Sequence, residues 1–279
     1  MFILTWHGVI HCLILSIVIS TAAASEIYRS VDEKGRVTYS DQATRGSQQI
    51  QIAGSSNRQL QHVARVYDGD TIILQNGKHV RLLGVNTPEI ESRHQVEEPG
   101  GIAAKQWLQT QLPNNSKIYL EFDQVKHDKY KRMLAYVYLP DGKHLNLALL
   151  EKGLGAVSII PPNGRYADEL TRAQQHAERN KLGIWSMPQY QSRPISQISS
   201  HTKGWQRFTS TPATLRKGKK YTRLIIDDKT DIRIANANLH LFPELSSYLG
   251  KAVEVRGWVA RNKDYYTILI SHPSALIAQ

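Results

Sequence analysis

Apolar and polar residues alternate in Thr71-Ile72-Ile73-Leu74 and again in His79-Val80-Arg81-Leu82-Leu83, with Asn76-Gly77 between them. Period-two runs split by an Asn-Gly turn predict an antiparallel hairpin with one buried face. Upstream, Gln59 to Val66 reads as a further strand. After a polar loop ending in Pro99-Gly100-Gly101, the pattern changes to helical, with Ala103, Ala104, Trp107, Leu108 and Leu112 on one side and a stop at Pro113. Lys117–Phe122 and Met133–Tyr138 alternate as strands, joined by a charged loop from Asp123 to Arg132. Helices follow over Asn146–Lys152, closed by Gly153, and over Tyr166–Arg179, ending near Gly183-Ile184-Trp185. Five strands with helices after the third and fifth fit a small barrel of the OB type.

Farther on, Arg223–Ile226, Asp231–Ile234, Ala252–Val259 and Tyr265–Ile270 alternate as strands, with a short helix around Pro243–Leu249. That order resembles a second OB fold. The expected class is mainly β with helices, an α+β chain. Residues 188–203, rich in Gln, Ser and Pro, read as a linker between 59–187 and a basic domain at 204–279. Residues 25–58 form a small β module, Tyr28–Asp41, with two strands and a turn at Lys34-Gly35. It resembles a short domain of unknown function common after the signal peptide of secreted bacterial proteins.

Residues 1–24 read as a secretory signal, with an apolar run from Val9 to Ile19 and Ala22-Ala23-Ala24 before Ser25. This predicts a periplasmic or secreted protein. The n-region lacks Lys and Arg, so an uncleaved anchor is the alternative. Cys12, the only cysteine, lies inside that segment, which leaves the mature chain no disulfide or thiol chemistry. No later stretch is apolar enough to span a bilayer, so no lipid-embedded region is expected after signal removal.

The formal charge of the 279 residues is +11, which favours a polyanionic partner. Residues 191–279 hold 14 Lys and Arg against 6 Asp and Glu, so most of the excess belongs to the last domain. There Trp258 and Tyr265, interleaved with Arg256 and Arg261, suggest a stacking platform for single strands, with barrel core as the blander alternative. His79, His94, His127 and His144 show no zinc spacing and read as surface or loop residues. Trp107 and Trp185 read as core.

Candidate chemistry gathers at one end of the first hairpin. Asp68 and Asp70 precede its first strand, and Asn86, Thr87 and Glu89 follow its second. Oxygen-only donors suit a hard cation such as Ca2+, and the planar fork of Arg81 between them suits a phosphate.

This end, together with Asp128-Lys129-Tyr130-Lys131-Arg132 and Gly183-Ile184-Trp185-Ser186, resembles the staphylococcal nuclease family over roughly Gln59 to Met187. The resemblance implies calcium-dependent hydrolysis of phosphodiester bonds in DNA, with RNA as a further candidate. It implies Asp70 and Asn86 as side-chain calcium ligands, Thr87 as a backbone ligand and Asp68 as support. Glu89 would act on the attacking water, Arg81 and Arg132 would clamp the phosphate, and Lys129 and Tyr130 would lie near the terminal phosphate. Two positions depart from the family pattern. Asn86 stands where aspartate is usual, and Ser158-Ile159-Ile160-Pro161 stands where base-stacking tyrosines are found. The alternative is a catalytically weak nucleic-acid-binding protein on the same scaffold, for which Asn86 is the main support.

Overall fold

The computed structural model describes residues 27–31, 37–40, 42–43, 47–50, 58–90, 97–202 and 204–279. The expected signal segment, with Cys12, lies outside them, as does His94. Two compact units divide the chain, 1–56 and 57–279. In the first, β1 (Ile27–Val31) pairs antiparallel with both β2 (Val37–Ser40) and β3 (Gln48–Ile50), one strand more than the two expected.

The second unit opens with β4 (Gln59–Val66), β5 (Thr71–Leu74), β6 (His79–Leu82) and the short β7 (Gly84–Asn86). Helix α1 (Gly101–Gln111) leads to β8 (Lys117–His127) and β9 (Met133–Tyr138). Strands β4-β5-β6-β9-β8 close into a barrel, with β6 and β9 parallel and the other neighbours antiparallel. Alternate residues fill it: Val63, Ile72, Leu74, Val80, Leu82, Ile118, Leu120, Ala135 and Val137 are all buried. Closure removes the exposed edges that an open sheet of this length would carry.

Beneath the barrel lie α2 (Leu145–Glu151), the short β10 (Ala156–Ser158), which pairs with β7, and α3 (Ala167–Arg179). Asn146 fastens α2 to the barrel although it carries no apolar surface. Its buried side chain accepts from the Val137 N–H at 2.9 Å and donates to the Leu83 carbonyl at 2.9 Å. The segment after β10 is held by two acidic anchors on β8. Asp123 accepts from the Gly164 and Arg165 N–H groups, each at 3.0 Å, and Glu121 accepts from Arg165 at 2.6 Å and from the Tyr166 hydroxyl at 2.8 Å. Part of the expected 123–132 loop is therefore strand, because β8 runs on to His127.

Residues 188–202, expected as a linker, are packed. Tyr190 and Ile195 are buried, the Tyr190 hydroxyl donates to the Pro99 carbonyl at 2.9 Å, and β11 (Arg193–Pro194) pairs with the strand that follows. That strand is β12 (Trp205–Ser210), followed by β13 (Thr214–Lys217), β14 (Tyr221–Ile225), β15 (Thr230–Ala235), β16 (Val253–Asn262), β17 (Tyr265–Ile270) and β18 (Leu276–Ala278). The main path runs β12-β16-β17-β15-β14-β13. If β12 and β13 count as halves of one bent strand, the order is first, fourth, fifth, third, second, first. That is the circuit of the barrel, and here too the third and fifth strands, β15 and β17, run parallel. The second sheet is OB-like.

Charged residues hold the second sheet against α3. From the outer face of the sheet, Arg256 donates to Glu178 of α3 at 2.8 Å, and Arg207 donates to Glu178 at 3.3 Å. Both arginines also meet Glu254, at 2.6 and 2.9 Å. Burial pushes the Glu254 carboxyl up, but the two guanidinium groups outweigh it and hold its pKa below the ordinary value. Trp185 and Trp205 meet edge to face beside this cluster, with ring centroids 6.2 Å apart. Glu178→Ala should cost about 2 kcal/mol, or ~4–8 °C in Tm. This is less than the loss of a sole buried partner, because Arg256 retains Glu254. A thermal melt matching that of the unaltered chain would show that the cluster contributes nothing to docking.

Candidate active site

Asp70 is 5% exposed and lies at the mouth of the first hairpin, just before β5. One carboxylate oxygen accepts from the Thr87 N–H at 2.9 Å and from the Thr87 hydroxyl at 3.2 Å, and the other accepts from the Thr71 hydroxyl at 3.1 Å. An Arg81 nitrogen, Nη2, stands 2.9 Å from the first oxygen. The same nitrogen donates to the Asn86 amide oxygen at 3.3 Å, while Nη1 donates to the Leu82 and Val85 carbonyls at 2.9 and 2.6 Å. Asp70 before the hairpin, Thr71 at its start and three residues after its first strand, Arg81, Asn86 and Thr87, are thus bonded into one cluster.

Asp68 supports this cluster by accepting from the Asp70 N–H at 3.0 Å. Burial, and then the neighbouring Asp70 charge, push its pKa up to about 6. Gly69 between them has a steric role. A Cβ there would lie 2.6 Å from the Thr87 hydroxyl and 2.7 Å from the Ala104 methyl, so the Asp-Gly-Asp turn can seat itself against Thr87 only without a side chain.

Whether a hard cation suits these residues is a matter of donor chemistry. The Asp70 and Asn86 side-chain oxygens converge on one positively charged nitrogen, so the geometry already accommodates a positive centre. Among the described residues no three His, Cys, Asp or Glu side chains form a metal cluster. A cation here would therefore rest on one carboxylate with the neutral oxygens of Asn86 and Thr87, a set that fits Ca2+ but with little negative charge.

A cavity of about 450 Å³ opens beside the cluster. Arg81 and Asn86 line it together with Lys129, Tyr130 and Arg132 from the β8–β9 turn, Ile160 and Pro161 from the segment after β10, and Trp258 from β16. The β8–β9 turn is ordered by Asp128, whose side chain accepts from the Tyr130 and Arg132 N–H groups at 2.9 Å each and from the Arg132 guanidinium at 2.7 Å. Burial raises the Asp128 pKa, but these bonds prevail and bring it below the ordinary range. Lys129 and Arg132 both lie over the Tyr130 ring, at 4.9 and 5.6 Å from its centroid.

The sequence has relatives among known proteins. A model of staphylococcal nuclease homologues matches residues 79–187. A thermonuclease of Staphylococcus intermedius is 40% identical over 126 residues, which cover 44% of this chain and 74% of that protein. The chain belongs to the staphylococcal nuclease family. A second family member, a thermonuclease of Staphylococcus hyicus, is 38% identical over 136 residues, 47% of this chain and 79% of its own. Endonuclease YncB of Bacillus subtilis is 42% identical over 131 residues, 45% of this chain and 61% of its own. A model of a domain of unknown function, DUF4124, matches residues 14–59.

Among the residues singled out from the family resemblance, Asp70, Arg81, Asn86 and Thr87 share one bonded cluster. Arg81, Asn86, Lys129, Tyr130 and Arg132 share one cavity. Glu89 follows the cluster on a loop whose backbone is tied to Glu98, by N–H to carboxylate at 3.1 Å and by carbonyl from the Glu98 N–H at 2.8 Å, and it does not line that cavity. Of the expected stacking platform, Trp258 lines the cavity, Arg256 is held by Glu178 and Glu254, Arg261 faces Asp264 at 3.6 Å, and Tyr265 lies by the buried Asp231.

Two contributors were given no role of their own from sequence, Gly69 and Asp128. Asp128 had a readable signal, because an Asp four residues before an Arg at the tip of a strand pair is placed to accept from the turn's own N–H groups. Gly69→Ala should push Thr87 off Asp70 and cost about 1–3 kcal/mol of stability. Ala104→Gly in the same chain should recover part of that loss, and a melt unaffected by either change would contradict the packing described.

Proposed function

We propose that this chain is an exported, calcium-dependent nuclease that hydrolyses phosphodiester bonds of DNA, with RNA as a further substrate, and that its basic second sheet binds nucleic acid. The observation that carries the reading is a single cavity lined by both Arg81 and Arg132, with Arg81 itself bonded to Asn86 and to the buried Asp70 carboxylate. The named activities of the thermonuclease and endonuclease relatives support it.

In hydrolysis, water attacks phosphorus opposite the leaving oxygen while negative charge grows on the other phosphoryl oxygens. Two fixed guanidinium groups stabilise that charge, and their orientation is set before substrate arrives, Arg132 by Asp128 and Arg81 by the Leu82 and Val85 carbonyls. Glu89 is proposed to accept the proton of the attacking water. Asp70, Asn86 and the Thr87 carbonyl would hold Ca2+, which when bound supplies further positive charge to the same oxygens. Asn86 favours the second reading, a weakly active binder, since a neutral ligand in place of a carboxylate lowers calcium affinity.

Plasmid digestion separates the two readings. Cleavage should require Ca2+, stop in chelator and fall by about 10²-fold or more in Glu89→Gln. Asn86→Asp should bring half-maximal cleavage to lower calcium. Loss of plasmid that depends on neither metal nor Glu89 would reject the assignment, and absence of digestion at any calcium concentration would leave the binder. The export arm is checked by mass spectrometry of the native protein, which should begin at Ser25. An intact amino terminus would favour the anchored alternative.

A further inference from the structure

Trp258 departs from the pattern of its own strand. Side chains alternate along β16, so Glu254, Arg256 and Trp258 share the outer face. Glu254 and Arg256 are 5% and 7% exposed and are consumed by the ion cluster with Arg207 and Glu178, whereas Trp258 is 47% exposed. Its antiparallel partner Leu269 is also 47% exposed, so an indole and an isobutyl group lie side by side in water. Docking does not account for them, since the charged residues and Trp205 carry the contact with α3 and Trp185. What distinguishes Trp258 is that it lines the cavity that also holds Arg81, Arg132, Lys129 and Tyr130.

We propose that Trp258 stacks on a base of a single-stranded nucleic acid segment whose phosphate lies at Arg81 and Arg132, so that the second sheet supplies a wall of the barrel's own substrate site. The inference rests on the proposed nuclease reading of that site and adds a substrate class and a positioning residue to it. A cavity of about 450 Å³ that combines cationic groups with an aromatic face suits a nucleotide, with a phosphate for the guanidinium groups and a flat ring for the indole. The segment Ile160-Pro161 on the same cavity offers no aromatic face. Bases within a duplex are already stacked on both sides, so an indole fixed in a cleft selects an unpaired one. Positive charge in residues 191–279 complements the strand that would continue across the sheet.

The test uses the full chain in chelator, where no cleavage occurs, and fluorescence anisotropy of a short labelled oligothymidylate. Trp258→Ala should weaken single-strand binding roughly tenfold, Trp258→Phe should restore most of it, and binding of a duplex of equal length should not change. Trp258→Leu keeps the apolar bulk without a ring face and should bind as weakly as the alanine variant, which also decides the matter if alanine lowers the melting temperature. In the calcium-loaded enzyme KM for single strands should rise while kcat holds. Wild-type affinity in Trp258→Ala or Trp258→Leu, or equal losses on single strand and duplex, would overturn the proposal. If the wild-type chain cleaves nothing, the nuclease reading fails, yet the anisotropy comparison still decides the role of Trp258.

Discussion

The buried carboxylate of Asp70 is the joint on which this molecule depends. A carboxylate removed from water must be met by donors, and here they come from both ends of the hairpin: the Thr87 N–H and hydroxyl, the Thr71 hydroxyl and the Arg81 guanidinium. Because Thr87 lies after β7 and Asp70 before β5, satisfying one charge closes the loop ends of the barrel and aims Asn86 and Arg81 at the same point. The arginine read from sequence as a phosphate clamp and the oxygens read as cation ligands are thus partners of each other. Each is positioned by the need to neutralise the rest.

The barrel was legible in the sequence wherever one side of an element meets core and the other meets water. His79–Leu82 alternates in this way, and α3 stood out because Leu170, Ala173 and Ala177 recur at helical spacing. Thr71–Leu74, buried on both faces against the one-sided strand expected, was read from the Asn-Gly turn that joins it to β6. Asp70, Arg81, Asn86 and Thr87 could be read as one group because they follow one another around the hairpin. What escaped were elements stabilised by contacts distant in sequence. Strand β12, with Trp205, Gln206 and Arg207, carries polar groups on a face that is covered, and nothing local says that Arg207 meets Glu254 and Glu178. Tyr190 and Ile195 escaped for the same reason, because a short run rich in Gln and Ser gives no period by which to recognise two buried side chains.

The two β domains follow one plan and divide the work unequally. Both run through the same circuit of strands with a parallel third–fifth pair. The first gathers its polar residues at the mouth of a hairpin, whereas the second commits Arg207 and Arg256 to Glu178 and Glu254 and pairs Arg223 and Arg233 with the buried Asp231.

Along β16, alternation ties two events together that are separate in chemistry. Glu254, Arg256 and Trp258 occupy successive outward positions on a single strand, so slipping its pairing by one residue would exchange them for Val255, Gly257 and Val259. An insertion anywhere between residues 254 and 258 would turn the indole inward while the chain on either side kept its length. The geometry of the cleft is therefore guarded by strand register, a property that no residue of the barrel encodes.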